Sequence, residues 1–474
     1  MRVMATVAAI CLVAVATASD SHAQTHAVRV VQKAVEAPRP ATVQVACPTA
    51  TSCVSVGGSA VLVERGGKWR VVALSKSLNI LSLACPSAGK CVASGREGER
   101  RVFVLTQIGR KWGLTVPALP GNPADPSFPA LRSVTCTSRG NCVAVGYYEF
   151  AVQTPVLVKE RNGTWGDGAE APLPANAATS PDPDHPNAGG FLALVSCSSG
   201  VDCTAAGGYT NKDAQYGHYG WFLRDAANPP PVGETQDAVM AQLPADAATV
   251  GDPERAGSSP FFGFAGMSCP LGGYCTAAGG YVDTHDDERG VIFTETPSGW
   301  ARGITPPLPT NAGRNPASPN EFENPLASLS CAATANCAAT GWYVDRSEQR
   351  RGLLLSEAHG KWKATELVLP VGAARDAIPI LGPVTCASRG NCVAIGDYAS
   401  GVGSGGRTYG LIVVERAGTW GRGIKAAPPA NASKASHTFL NSVSCASART
   451  CTIVGDYQDR SGRTRGLILN LRLS

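Results

Sequence analysis

The sequence lacks any run of lysine or arginine, and its 41 basic and 36 acidic residues leave a formal net charge of only +5. A nucleic-acid face is therefore not expected. Aromatic residues make up only 6% of the chain, against 53 glycines and 34 prolines. That balance fits many short strands joined by turns better than long helices. Past the N-terminus no stretch reaches the roughly 18 apolar residues that a membrane helix needs. Catalytic signatures are missing too: there is no G-x-S-x-G elbow, no H-E-x-x-H pair and no phosphate-binding glycine loop.

What is present begins with a leader. MRVMATVAAICLVAVATASDSHA sets Arg2 before an apolar run and then small residues cleavable after Ala18 or Ala23. Residues 1–23 read as a secretory signal, with a short membrane anchor as the competing reading. Cys11 lies in a poor lipobox, so no lipoprotein is expected. No membrane insertion is expected once the signal is removed.

Losing Cys11 leaves sixteen of the 17 cysteines, in eight C-x5-C pairs: Cys47/Cys53, Cys85/Cys91, Cys136/Cys142, Cys197/Cys203, Cys269/Cys275, Cys331/Cys337, Cys386/Cys392 and Cys445/Cys451. An even, fully paired set behind a signal points to disulfides in an oxidising compartment, hence to a secreted, extracellular protein. Zinc pairs usually stand two to four residues apart, and the few histidines keep no fixed offset from these cysteines.

Aligned on the cysteines, each unit reads as a hairpin. An apolar and then a small residue precede the first Cys, as in Val134-Thr135 or Val443-Ser444; turn formers fill the gap; the second Cys opens a strand closed by glycine, as in CVAVG or CVAIG. The two cysteines face each other across the hairpin. A third strand follows (VLVKE, VIFTE, LLLSE, LIVVE), then a tight turn into a fourth headed by Trp (GGKW, GRKW, NGTW, GTW), then proline-rich text such as PLPANA and PLPTNA. Such small sheets bury both faces only by stacking on one another.

Four strands per unit with a Trp near the end is the pattern of a β-propeller blade. The eighth unit stops one strand short, and the segment 26–35 (HAVRVVQKAV) matches WRVVAL of the first unit's fourth strand. The expected fold is all-β: residues 24–474 form a single eight-bladed propeller closed by the N-terminal strand. The blades span about 41–75, 81–117, 131–174, 192–244, 264–309, 326–370, 381–428 and 440–474 plus 26–35. Seven blades with one degenerate unit, or an open array, are the alternatives.

The pattern SVSC-x5-CxAVG…GxW resembles repeats of uncharacterised secreted bacterial proteins thought to form propellers, and the resemblance covers nearly the whole mature chain. It implies an architecture and no activity. A looser likeness to kelch repeats rests on Gly57-Gly58, Gly207-Gly208 and Gly279-Gly280.

In a meander the disulfide turn and the G-x-W turn share one rim, and the long insertions, including 180–190, 209–220, 248–263 and 281–290, fall on the other. A ligand site is expected on that loop-bearing rim. Tyr148, Tyr209, Tyr281, Tyr343, Tyr398 and Tyr457 recur two places after the glycine. They read either as a ring at a ligand's mouth or as packing at a fixed position. His218 and Arg407 are further ligand-binding candidates. Asp283, Asp286 and Asp287 are dense in oxygen donors and would be the ligands of a Ca2+ ion, although their spacing is not that of an EF-hand. A plain acidic loop is the other reading, and no cofactor is otherwise expected.

The Asp-box of sialidase blades is absent, and no cysteine is spare for a copper-oxidase cross-link. No catalytic residue is assigned. The leading expectation is a monomeric extracellular binding or scaffold module for a glycan or protein. The alternative is a carbohydrate-active hydrolase or lyase using two loop carboxylates among Asp182, Asp184, Asp283 and Asp287.

Overall fold

The glycine that closes each second strand shows how tightly a blade is built. A Cβ added at Gly146 would lie 1.8 Å from the Ala130 carbonyl oxygen, and one at Gly396 would lie 2.1 Å from that of Ile380. The first strand bulges there, between Leu131 and Ser133 in one blade and between Leu381 and Val384 in the other. The bulge brings backbone onto the glycine, so the motif's Gly is required by a close approach.

A computed structural model describes residues 30–37, 43–73, 77–121, 127–137, 140–181, 188–198, 202–212, 218–224, 226, 238–248, 261–317, 323–400, 406–433 and 437–474. The signal reading over residues 1–23 lies outside them. Eight antiparallel meanders follow one another along the chain. Blade 1 is Gln44–Thr49, Ser52–Gly57, Ala60–Arg65 and Lys68–Ala73. Blade 7 is Ile378–Ser388, Asn391–Ser400, Arg407–Arg416 and Thr419–Trp420. The first strands lie side by side around the whole circuit, the last against the first. The ring is therefore closed with eight blades, and neither the seven-bladed nor the open alternative holds.

Closure uses the chain's own N-terminal strand. Val30–Glu36 pairs antiparallel with Thr464–Leu473, from Val30 opposite Leu473 to Glu36 opposite Leu467, and supplies the fourth strand of blade 8.

The serines of the SVSC motif join neighbouring blades. The Cys331 N–H donates to Ser268 Oγ at 3.2 Å, and Cys386 N–H to Ser330 Oγ at 3.1 Å. The bond from Cys47 N–H to Ser444 Oγ, 2.9 Å, is the same device across the closing seam. Small hydroxyl residues recur before the cysteine because each must fit between two first strands and cap a backbone donor there.

All eight predicted disulfides form within the first hairpins: Cys47 with Cys53, Cys85 with Cys91, Cys136 with Cys142, Cys197 with Cys203, Cys269 with Cys275, Cys331 with Cys337, Cys386 with Cys392 and Cys445 with Cys451, their Cα atoms 3.9–4.1 Å apart. Each closes a loop small enough to contribute about 2 kcal/mol by chain entropy. The disulfide turns lie on the rim as expected, but ten of the sixteen cysteines belong to the core, Cys47 and Cys269 among them. The second cysteine of every pair (Cys53, Cys91, Cys142, Cys203, Cys275, Cys337, Cys392 and Cys451) is no more than 4% exposed. Cys53 packs among Val45 and Leu62, Cys203 among Val195 and Ala205, Cys392 among Val384 and Ala394, and Cys451 among Val443 and Ile453. Cys337 Sγ stands 3.7 Å from Thr276 Oγ1 of the preceding blade, and Cys275 is buried at the same place in blade 5. The physical reason is the two-residue alternation of the second strand, which turns its opening Cys toward the neighbouring blade. These cysteines are structural and offer no ligand a sulfur.

The rest of the apolar core is likewise divided among the blade interfaces. Val54, Val61, Ile80 and Phe103 pack between blades 1 and 2, for example, and Ile395, Ile412, Leu440 and Ile453 between blades 7 and 8. The third strand ends in a buried Glu or Gln opposite the Trp: Glu64 and Trp69, Gln107 and Trp112, Glu160 and Trp165, Glu295 and Trp300, Glu357 and Trp362, Glu415 and Trp420.

Candidate functional site at the axial mouth

Backbone bonds separate the rims. Gly109 N–H donates to Gly89 O at 2.9 Å and Gly418 N–H to Gly390 O at 3.0 Å, tying the G-x-W turn to the disulfide turn. On the opposite rim the connectors between blades bond to the hairpins joining strands two and three, as in Thr284 N–H to Asp246 O at 2.8 Å and Arg346 N–H to Asn311 O at 3.0 Å.

The tyrosines belong to these locks. Tyr148, Tyr209, Tyr281, Tyr343, Tyr398 and Tyr457 are all buried. The hydroxyls of Tyr209, Tyr281, Tyr343 and Tyr457 donate to Asn176, Asp246, Asn311 and Asn431 at 2.9–3.0 Å, each acceptor lying in the proline turn of a connector. Tyr148 donates instead to Glu170 at 2.7 Å, and burial together with that carboxylate pushes its phenol up to about 12. Tyr398 packs against Tyr409, ring centroids 5.3 Å apart. Of the two readings of these tyrosines the structure fits packing at a fixed position, a ring of interior anchors.

The acidic hairpin of blade 5 is held by its own backbone and by two arginines, one of them from the next connector. Asp283 Oδ1 accepts the N–H groups of His285 (2.8 Å) and Asp287 (3.0 Å), and its Oδ2 accepts Arg289 Nε at 2.8 Å. Asp287 is paired with Arg289 and Arg314, both at 3.2 Å. Burial opposes ionisation of Asp283, but Arg289 and the two backbone donors outweigh it and hold the carboxyl below the usual carboxylate range. Asp286 takes a left-handed turn conformation, φ 64°. The same lock recurs at Asp345 with Arg351 (2.7 Å) and at Asp459 with Arg465 (2.8 Å). The positive charge these aspartates meet is a guanidinium two residues into the next strand. A Y-x-D-x5-R spacing at 281/283/289, 343/345/351 and 457/459/465 carries the signal in sequence.

Of the remaining candidates, Asp182 and Asp184 lie outside the described residues, and so does the side chain of His218, at the start of a strand. Arg407 is exposed at the loop-bearing end of blade 7. It and Lys425 flank Tyr409, with Lys425 Nζ 3.5 Å from the ring centroid. Burial alone would raise the Tyr409 phenol, but hydrogen bonding to Arg407 and the charge of Lys425 bring it below its ordinary value.

What the sequence reading missed lies at the loop-bearing end of the first strands. Ile380 is 51% exposed and pairs across the ladder with Asp397; Phe439, 41% exposed, pairs with Asp456 at the equivalent place in blade 8. Paired residues share a face, so two adjacent blades each present an apolar side chain beside a carboxyl. Burial raises Asp397 to about 6. It raises Asp456 as well, against a bond from Asn441 Nδ2 at 3.3 Å. His437 lies parallel to Phe439 at 6.3 Å and bonds Thr408 through Nδ1 at 3.2 Å. Ile378, 45% exposed, extends the apolar surface. Such a surface can accept hydrogen bonds from hydroxyl groups while covering an apolar face.

No protein-family model matches the chain, and no curated protein matches it. Among solved structures it is similar to the WD40 domain of SCAP from fission yeast (TM-score 0.44, 7% identity, covering 94% of this chain and 98% of that one). It is also similar to a post-proline cleaving enzyme from Rickettsia typhi (TM-score 0.44, 8% identity, 90% and 58%) and to a Trypanosoma rangeli sialidase (TM-score 0.31, 8% identity, 94% and 58%). The propeller rests on the strand pairing of this chain, to which likenesses at these TM-scores add nothing. No helix among the described residues is long and apolar enough to cross a membrane, and eight disulfides fit an oxidising environment.

Proposed function

We propose that the protein is a secreted, extracellular binding module that recognises a glycan at the axial mouth of its loop-bearing rim. The observation that carries this reading is the repeated pair, Ile380 beside Asp397 and Phe439 beside Asp456, on a rigid frame stapled from the far side. A sugar ring offers what such a surface accepts: hydroxyl donors for the carboxyls and a C–H face for the apolar side chains. Arg407, exposed on the same rim, would meet an acidic substituent of the glycan. Asp283 and Asp287, named for glycoside cleavage, are held in ion pairs and are not offered as an acid and base.

The test is a screen of the mature protein against soluble and cell-wall glycans, with products analysed in the same wells. Saturable binding without new products supports the binding module. New products would move the assignment to an enzyme, and binding only to an extracellular protein would replace the glycan by a protein ligand.

A further inference from the structure

At two blade boundaries the buried Glu that ends a third strand bonds one particular residue of the preceding blade. At the boundary of blades 4 and 5 that residue is Arg224, whose Nε donates to Glu295 at 2.6 Å and whose Nη2 donates to the Thr296 carbonyl at 3.1 Å. At the boundary of blades 6 and 7 it is Ser356, whose hydroxyl donates to Glu415 and accepts Trp420 Nε1 at 2.8 Å. Register places Thr106 of blade 2 in the same position, since it follows Leu105, paired with Ala93, as Arg224 follows Leu223, paired with Ala205. Thr106 accepts Trp165 Nε1 at 2.8 Å but makes no bond to Glu160.

Glu160 is only 5% exposed and among the described residues has no hydrogen-bond or ion-pair partner. Beside it Gln107, 3% exposed, keeps its Oε1 unpaired while its Nε2 donates to Gly109 O. Both line a cleft of about 350 Å³ that opens between blades 2 and 3 on the disulfide rim, walled by Val92, Ile108, Cys91 and Cys142. That volume is at the small end of ligand sites, roughly 300–1,000 Å³. An ionised carboxyl buried without a donor is costly, and a cation that enters offsets the cost.

We propose that this cleft binds an alkylguanidinium group, with Glu160 as its counter-charge, Gln107 Oε1 as a second acceptor and the apolar walls around its stem. Arg224 on Glu295 is the intramolecular version of the same contact, two blade boundaries further round the ring. The site is on the opposite rim from the axial mouth and does not depend on the glycan reading. The charged groups that line the cleft are Glu160 and Lys90, the latter exposed and forming no ion pair with it; Lys159 precedes Glu160 on the strand and points to the other face.

The experiment titrates the mature protein with ethylguanidinium, with ethylurea as the neutral probe of similar shape, and with a short peptide carrying one arginine, by calorimetry at pH 8 and pH 5.5. Saturable binding of ethylguanidinium, at least tenfold weaker for ethylurea and weaker at pH 5.5, supports the site for free guanidinium compounds. Binding of the peptide alone supports it for an arginine of a partner chain. Glu160→Gln is expected to remove binding while leaving the near-ultraviolet circular dichroism unchanged, because blade 2 already carries Gln107 at the equivalent place. The proposal is overturned if neither cation binds, or if binding survives Glu160→Gln.

Discussion

At the residue scale the repeat is a set of close approaches, and its glycine is the least replaceable part. At Gly146 a methyl group meets three backbone atoms, at 1.8, 2.8 and 2.9 Å, and backbone cannot rotate away as a side chain does. Gly146→Ala should cost about 3 kcal/mol, at the upper end of overpacking, measured by urea unfolding; Gly140→Ala, in an open turn, tests only its positive φ of 79°. The buried carboxyls set the pH response. Burial raises Glu160 and Glu357 to about 7, and raises Glu64 and Glu415, above an unfolded value near 4.3. The native state therefore holds protons that the unfolded chain has released, and stability falls as pH rises from about 4.3 through 7. The depressed groups, Asp283, Asp345 and Asp459, act in the opposite sense and lose their contribution as pH falls below about 3.9. Thermal melts should peak at mildly acidic pH, and Glu357→Gln should reduce the decline between pH 5 and 8.

At the element scale the structure makes one lock out of three pieces of sequence: the second-strand Tyr, the hairpin aspartate and the connector's proline turn. Tyr343→Phe leaves Asn311 Oδ1 without its 3.0 Å donor and should cost about 1 kcal/mol, seen as a shift of the unfolding midpoint without a change in slope. This is where sequence reading was strongest and also where it went astray. Cysteine spacing, the closing Gly and the Trp turn state the blade directly, because each is a local requirement of a hairpin. The burial of the second cysteine is not stated there, since it depends on the neighbouring blade. The tyrosines recur with the same regularity for the same reason, so regularity was the sign of an interior role. Ile380, Asp397, Phe439 and Asp456 were not legible as a site. Their exposure depends on where the first-strand bulge falls relative to the ring axis, and alternation along one strand does not encode that. The sequence left the Asp283 loop open between a cation site and a plain acidic loop, since the arginines that answer it, Arg289 and Arg314, are recognisable as partners only once the hairpin and the next connector are folded together.

At the scale of the whole molecule, the eight interfaces are alike and the ring has one covalent gap, bridged by the pairing of Val30–Glu36 with Thr464–Leu473. Removing the N-terminal strand exposes a long unpaired edge on blade 8. A chain lacking residues up to Glu36 should unfold at lower temperature and associate in a concentration-dependent way by analytical ultracentrifugation, while the eight disulfides, which lie within hairpins, still form. The two rims follow from the same topology: repeated turns and staples on one, connectors and insertions on the other.

On the proposed reading the frame is the part that repeats, and recognition belongs to the axial mouth of the loop-bearing rim. The direct test measures glycan affinity of the wild type, of Asp397→Asn combined with Asp456→Asn, and of Glu160→Gln on the far rim, after near-ultraviolet circular dichroism has confirmed that all three are folded at the assay temperature. The mouth variant should lose at least tenfold in affinity, and the far-rim variant should bind as the wild type does. Undiminished binding by the mouth variant, or loss in the far-rim variant alone, would contradict it.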